Sequence, residues 1–170
     1  MSTDIERFKK FVESESVMQH IKRFYERMPD VDDIIISILK GHLLVEEQLF
    51  ELIAVEAEKP QALKDSRLTF HQTLCIAESL LWHKDSEWVW SSCRKLNSIR
   101  NSLSHELEPS NLDKNIKEFL SIVEKRYPPH GRNQVKKNQS TRLLTAIGMV
   151  YAYLSAYLEA CKNTKKMKNG

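Results

Sequence analysis

Glycine and proline are scarce in this chain, which has four glycines and five prolines among its 170 residues. Because both residues favour turns, their scarcity argues against a turn-rich β fold and favours helices. The prolines fall between apolar runs, at Pro29, Pro60, Pro109 and the pair Pro128-Pro129. Composition and proline spacing therefore predict an all-α protein whose helices break near these positions.

Cysteine is also rare, and Cys75, Cys93 and Cys161 are scattered without C-x-x-C spacing. Three isolated thiols argue against a disulfide framework and a zinc knuckle, so we expect reduced thiols, no metal and no cofactor. No apolar run reaches the roughly 18 to 20 residues that span a bilayer. The first ten residues are charged and amphipathic, unlike a secretory signal. These absences predict a cytoplasmic chain that does not enter a membrane.

The net charge of +3 at pH 7 is too small to identify a nucleic-acid-binding protein by itself. The stretch 126–137 nevertheless holds four basic residues and no acidic one, and lysines crowd the C-terminus. Such runs can follow a phosphate backbone, although a solvated loop and a solubilising tail explain them equally well. The candidate RNA contacts in this stretch are Arg126, Arg132, Lys136 and Lys137.

Apolar residues recur at helical spacing in six segments of what we expect to be one domain spanning residues 1–170. The predicted helices cover residues 4–27, 32–56, 69–81, 87–106, 111–125 and 141–162. Residues 126–140 are predicted to form a basic loop, and residues 163–170 a basic tail. The helix over 141–162 is apolar around most of its circumference, so we expect it to pack in the core or at a dimer contact.

The second predicted helix carries a carboxylate on an apolar face. Its expected core stripe consists of Ile35, Ile38, Leu39, Val45, Leu49, Leu52 and Ile53. Glu46 follows Leu39 and Leu43 on the same side, and a buried carboxylate is costly unless a cation meets it. Arg100 is the candidate cation, while an outward-pointing Glu46, or Glu47 as the acid, are the alternatives. His42 beside this face is interpreted as a core histidine rather than a ligand.

The fourth predicted helix ends in the run Arg-Asn-Ser-Leu-Ser-His at residues 100–105. Arg100 is a permanent cation that can hold a phosphate, and His105 is a histidine, a residue type whose free side chain has a pKa near neutrality and can move a proton. With Asn101 they form a minimum set for metal-free cleavage of a phosphodiester by its own 2′-hydroxyl. The alternative is a surface arginine and a histidine that stabilises the helix C-terminus.

Asn97 and Ser104 extend this run into a polar strip along the helix. Arg100 and His105 are five positions apart, about 140° around an ideal helix. One straight helix cannot aim both at the same atom. Either the helix unwinds near Ser104, or two copies of the motif meet across a twofold axis.

The run Lys95–His105 resembles the R-N-x-x-x-H signature of the HEPN superfamily of all-helical, frequently RNA-cutting domains. The order of elements is also similar: a long helix with an acidic residue, a short helix rich in Phe and Leu, and the motif helix. The stretch 68–80, followed by 94–101, is similar to the branch that includes mannitol-operon-repressor-like proteins. The resemblance covers roughly residues 32–125.

This resemblance implies an antiparallel bundle of about five to six helices and a homodimer with both motifs facing one cleft. It also implies metal-independent RNase activity of a toxin or anti-phage type, with tRNA, mRNA and rRNA as possible substrates. Arg100 would hold the scissile phosphate, Asn101 would orient the phosphate or the histidine, and His105 would act as general acid/base. Glu46, Asn97 and Ser104 would support them. A cognate antitoxin or a nucleotidyltransferase-type protein is the partner that the resemblance suggests.

Two other functions are compatible with the same residues. A non-catalytic HEPN-type regulator or interaction module, of the mannitol-repressor kind, would tolerate the loss of Arg100 and His105. A plain helical adaptor would have no salt-dependent affinity for RNA at all.

Overall fold

A computed structural model describes residues 14–29, 33–106, 108–128 and 138–169, and within these ranges it contains seven α-helices and no strand. The predicted all-α class is therefore confirmed. The helices are α1 (Glu15–Arg27), α2 (Ile34–Glu56), α3 (Pro60–Asp65), α4 (Phe70–Leu81), α5 (Glu87–His105), α6 (Leu112–Arg126) and α7 (Gln139–Asn169), with a 3₁₀ turn at Lys84–Ser86 before α5. Of the predicted first helix, residues 4–13 lie outside the described ranges.

Local capping explains where the helices begin. The Asp33 side chain accepts a hydrogen bond from the backbone N–H of Ile36 and caps α2. Thr69 and Gln72 form a capping box at the start of α4. Helix α3, which the apolar periodicity does not predict, begins with Pro60 in its first turn and buries none of its residues. Apolar periodicity cannot indicate a short exposed helix, because such a helix has no apolar stripe.

Helix α7 continues through residues 163–169, so the predicted basic tail is wrong in the described part. The physical reason lies in Lys165, whose Nζ donates to the backbone carbonyl oxygens of Val55 at 2.6 Å and Ala57 at 3.4 Å. A lysine at this position satisfies carbonyl groups at the C-terminal end of α2 and interacts favourably with its dipole. The end of α7 is therefore attached to the junction between α2 and α3.

Helices α2 and α7 form the centre of the bundle and share the most extensive contact between any two described elements. Helix α1 packs on α7, α4 and α5 pack on α2, and α6 packs on both α5 and α7. The helices enclose one continuous apolar core. This arrangement places the C-terminal half of α5 beside α2.

The contact between α2 and α7 is unusually close at Gly41. A Cβ atom at this position would lie 2.7 Å from Cγ2 and 3.1 Å from Cδ1 of the buried Ile147 side chain. Further along the same contact, the buried Gln48 donates to the Tyr151 hydroxyl at 3.2 Å and accepts from Ser155 at 3.2 Å. Glycine permits the close approach, and the polar network specifies the register of the two helices.

The N-terminal half of α2 exposes an apolar surface. The exposed fractions are 45% for Ile35, 39% for Ile36, 38% for Leu39 and 61% for Leu43. We call these four residues the α2 stripe. The prediction that Ile35 and Leu39 face the core is therefore wrong, because no described element covers the stripe. The predicted core positions Ile38, Val45, Leu49, Leu52 and Ile53 are buried.

Helix α7 is long and apolar enough to cross a membrane by length and composition alone. The candidate span is Gln139–Met167, which contains one apolar 18-residue window. In this fold, 56% of that window is buried inside the bundle. A core helix surrounded by other helices needs this apolar character, and the sequence prediction of a helix apolar on several sides agrees with it.

We predict that Gly41→Ala lowers the free energy of unfolding by about 1–3 kcal/mol, because the new methyl group overpacks against Ile147. Urea denaturation measures this change. Gly148→Ala is the matched control: its Cβ would lie 3.2 Å from Phe24, so we expect a smaller loss. An unchanged or raised stability in Gly41→Ala would contradict the importance of the close contact.

Candidate functional site

Helix α5 remains helical through Ser104 and ends at His105. The following residue, Glu106, is extended, and its backbone N–H donates to the Ser102 carbonyl. Unwinding near Ser104, the first of the two predicted alternatives, is therefore absent from the described chain. Arg100 and His105 remain about 140° apart around the helix axis. Within one chain, their side chains leave α5 in different directions.

Arg100 is half-buried and is held by its own helix. Its Nη1 donates to Oδ1 of Asn101 at 3.3 Å, and the Ser104 hydroxyl donates to the Arg100 carbonyl at 3.0 Å. Asn101, Ser104 and His105 are exposed. No hydrogen bond or ion pair joins His105 to another residue in the described ranges. The strip therefore presents one oriented cation and one solvent-facing imidazole.

The predicted core histidine, His42, lies directly behind the motif. Only 3% of it is exposed, and its ring stacks on Phe70 with centroids 4.2 Å apart. Its Nε2 lies 3.0 Å from Oδ1 of Asn97, so Nε2 carries the hydrogen and donates. The buried Nδ1 has no hydrogen-bond partner among the described residues. Asn97 thus uses its side chain to attach α5 to α2.

Burial lowers the pKa of His42, the Asn97 hydrogen bond raises it, and the positive charge of Arg100 lowers it. The burial effect is the largest, so the ring is neutral at pH 7. A neutral imidazole avoids the charge repulsion that an imidazolium would experience from Arg100. The sequence shows that His42 belongs to the core, but it carries no signal that connects this residue with Asn97.

Glu46 lies one turn beyond His42 on α2 and is half-buried. Burial raises its pKa, and the charge of Arg100 lowers it. No hydrogen bond or ion pair within 4.0 Å joins the two side chains in the described structure, so the expected direct pair is not formed and Arg100 acts from a longer distance. The alternative acid, Glu47, instead pairs with Arg23 and Arg27 of α1.

A cavity of about 440 Å³ opens beside Glu46, between α2, α3 and α4. It is lined by apolar and charged side chains, including Leu43, Glu46, Phe50, Lys64, Arg67 and Thr73. The prediction from sequence did not contain this cavity, because two of its cations lie on or just after the unpredicted helix α3.

The candidate RNA contacts are only partly described. Arg126 is the last residue of α6, is exposed, and places its guanidinium 5.8 Å from the centre of the Tyr127 ring. Arg132, Lys136 and Lys137 lie outside the described residues. Of the C-terminal lysines, Lys162 pairs with Glu159, and Lys165 caps α2. In the described ranges, no three His, Cys, Asp or Glu side chains come together in a way that could hold a metal ion.

The site therefore combines three chemically distinct features on two helices. Arg100 can bind an anion, and the exposed imidazole of His105 can donate or accept a proton. Behind them, His42 and Glu46 experience the charge of Arg100 and connect the motif to α2 and to the cavity.

Comparison with known proteins identifies no relative: no family model, curated protein or solved structure matches the chain.

We predict that the stability of the protein falls as the pH decreases below about 6.5, because the unfolded chain protonates His42 near its ordinary pKa while the folded chain resists protonation. The contribution of His42 is complete above pH 6.5 and is lost as the pH falls through the lowered pKa. His42→Gln should flatten this part of the curve of unfolding free energy against pH. His105→Gln, at an exposed position, is the control; identical curves for wild type and His42→Gln would contradict the assignment.

We also predict that Arg100→Gln raises the pKa of both His42 and Glu46, because it removes a positive charge that lowers each of them. NMR titration of the imidazole and carboxyl signals measures both values in one sample. Lys95→Gln, on the same helix but paired with Glu118, should leave both unchanged. A rise in only one pKa would show that Arg100 does not lie close to both groups.

Proposed function

We propose that this chain is a metal-independent RNA endonuclease of the HEPN type, in a toxin or anti-phage role, that acts as a homodimer. The observation that carries the proposal is the end of α5, where Arg100 and Asn101 on one turn and His105 on the next belong to one partly exposed helix. A phosphate-binding cation and a proton-transferring imidazole are the groups that RNA cleavage without a metal requires.

The chemistry follows from the two side chains. Arg100 binds the scissile phosphate and stabilises the negative charge that develops on the phosphorane. The 2′-oxygen attacks phosphorus, its proton leaves to an imidazole, and the bond to the 5′-oxygen breaks as that oxygen is protonated. The products are a 2′,3′-cyclic phosphate and a 5′-hydroxyl. Two imidazoles in one cleft, one from each copy, can share these proton transfers.

A second copy is supported by two observations on one chain. Arg100 and His105 leave α5 in different directions, so one chain does not direct both at a single phosphate. The α2 stripe is an exposed apolar surface, which is typical of a protein interface. Leu39 of the stripe and Glu46 are seven residues apart and share one face of α2, so a partner on the stripe would lie on the face that carries His42 and Glu46, the two residues on which the charge of Arg100 acts.

The surrounding residues support the position of Arg100 rather than the chemistry. Asn101 accepts from its guanidinium, and Ser104 binds its backbone carbonyl. Asn97 holds α5 against α2 through His42. Glu46 contributes an opposite charge at longer range. We therefore assign Arg100 and His105 as the catalytic pair and the others as positioning residues.

A non-catalytic interaction module remains the second candidate, and one observation favours it. His105 has no orienting hydrogen-bond partner in the described chain, whereas a catalytic imidazole is normally oriented by a second group. The α2 stripe would then serve a regulatory partner rather than an RNA-cutting dimer. This version predicts protein binding that survives the loss of both Arg100 and His105.

We predict that purified protein cuts RNA in the presence of EDTA, and that Arg100→Ala and His105→Ala each reduce the rate by about 10²-fold or more. Total RNA is incubated with each protein, and the fragment ends are analysed for 2′,3′-cyclic phosphates. Light scattering should show that both variants retain the oligomeric state of the wild type, because neither residue is in the core.

His71→Ala is the matched control, since it removes an exposed histidine outside the motif and should cut at the wild-type rate. Wild-type cleavage by His105→Ala would refute the assignment. Binding without cleavage by the wild type on every RNA tested would favour the interaction module.

A further inference from the structure

The cavity beside Glu46 is an open groove with the volume of a small-ligand site. Its volume of about 440 Å³ lies within the range of roughly 300–1,000 Å³ that is usual for such sites. Phe50, Leu63 and Leu68 supply apolar and aromatic surface, and Leu43 connects the cavity with the α2 stripe. The catalytic pair proposed above does not line it.

All but one of the charged side chains that line this cavity have no ion-pair partner among the described residues. Lys64 and Arg67 make no ion pair and no side-chain hydrogen bond in the part of the chain that the structure describes. The Glu46 carboxylate likewise has no hydrogen-bond partner there. Glu47 is the exception, since Arg23 and Arg27 neutralise it from α1. The cavity therefore offers two cations and one carboxylate to a ligand.

Arg67 is held in an unusual backbone conformation. Its φ of 51° lies in the left-handed region, which glycine adopts readily and other residues avoid. It is the only described non-glycine residue with a positive φ. The turn between α3 and α4 would accept glycine more easily, so the fold alone does not explain an arginine here. Its side chain nevertheless reaches the cavity wall.

We propose that this cavity receives one unpaired guanine base of the RNA substrate, with Lys64 and Arg67 binding the adjoining phosphate and Glu46 accepting from the base. This inference rests on the function proposed above and names a sequence preference for it. A flat base can occupy the apolar walls and stack against Phe50, as bases do on aromatic side chains in RNA-binding proteins.

Glu46 selects guanine because of hydrogen-bond chemistry. The Watson–Crick edge of guanine presents two neighbouring donors, N1–H and the N2 amino group, which match the two oxygens of one carboxylate. The Watson–Crick edges of adenine, cytosine and uracil each present only one hydrogen-bond donor group, and it lies next to an acceptor. An acceptor that faces a carboxylate is unfavourable. Each of the other bases therefore forms one hydrogen bond fewer with Glu46 and places an acceptor against its carboxylate.

Other ligands fit the same walls less well. A fatty acyl chain would satisfy the apolar surface but would leave the Glu46 carboxylate against hydrocarbon, which is costly. A free guanosine monophosphate shares the chemistry of the base and the phosphate, and the experiment must separate it from an RNA strand.

The test measures binding without cleavage, in the His105→Ala background. Fluorescence anisotropy measures the binding of three end-labelled hexaribonucleotides. Each contains five adenosines and one test nucleotide, which is guanosine, inosine or a sixth adenosine. Inosine lacks only the N2 amino group. We expect the guanosine strand to bind about tenfold more tightly than the inosine strand, since leaving one carboxylate oxygen unpaired costs about this factor, and the adenosine strand to bind no more tightly than the inosine strand.

Variants separate the two halves of the site. Glu46→Gln should remove the preference for guanosine over inosine. Arg67→Gly should weaken all three strands and reduce the salt dependence of binding, while the melting temperature stays the same or rises because the left-handed conformation suits glycine. Lys40→Ala is the control, because it removes one positive charge from an exposed position of α2 outside the cavity.

Equal affinity for the three strands, or an Arg67→Gly variant that binds like Lys40→Ala, would overturn the proposal. Guanosine monophosphate that displaces the strand at a concentration close to the strand's own dissociation constant would assign the cavity to a free nucleotide and overturn the strand assignment. The proposed nuclease can fail separately: guanosine-dependent binding without cutting by the wild type would retain the base site and remove the enzyme. Cutting by the wild type without any preference for guanosine would retain the enzyme and remove the base site.

Discussion

Helices α2 and α7 approach so closely at Gly41 that no other side chain fits without displacing Ile147. This contact, together with the buried hydrogen bonds of Gln48, fixes the rotation of α2 about its axis. The rotation matters because opposite faces of α2 have different roles. One face forms the core with α7, and the other carries His42, Glu46 and the α2 stripe.

The face of α2 opposite α7 holds three environments within about four turns. Towards its N-terminus it is apolar and exposed, at His42 it is buried and polar, and at Glu46 it forms the wall of a cavity. Arg100 of α5 acts electrostatically on both polar residues. Protonation of His42 or Glu46 therefore alters the electrostatic surroundings of Arg100 and of the other residue. No ion pair between Arg100 and Glu46 is formed among the described atoms.

The fold class and the long helices could be predicted from the sequence, because prolines and capping residues mark their ends and apolar spacing marks their faces. Whether another helix packs on an apolar face could not be predicted. Ile35 and Leu39 continue the apolar pattern of α2, yet no described helix packs on them. The motif at 100–105 was visible, but its attachment through Asn97 to His42 joins residues 55 positions apart. Lys64 and Arg67 were missed because short-range periodicity carries no information about a cavity.

Lys165 donates to the carbonyl groups of Val55 and Ala57 from the last turns of α7. This lysine restrains the junction that leads into α3, which carries Lys64. Lys165→Ala would therefore remove a restraint on this junction as well as on the last turns of α7. Limited proteolysis within residues 163–169 would report on the cavity as much as on α7.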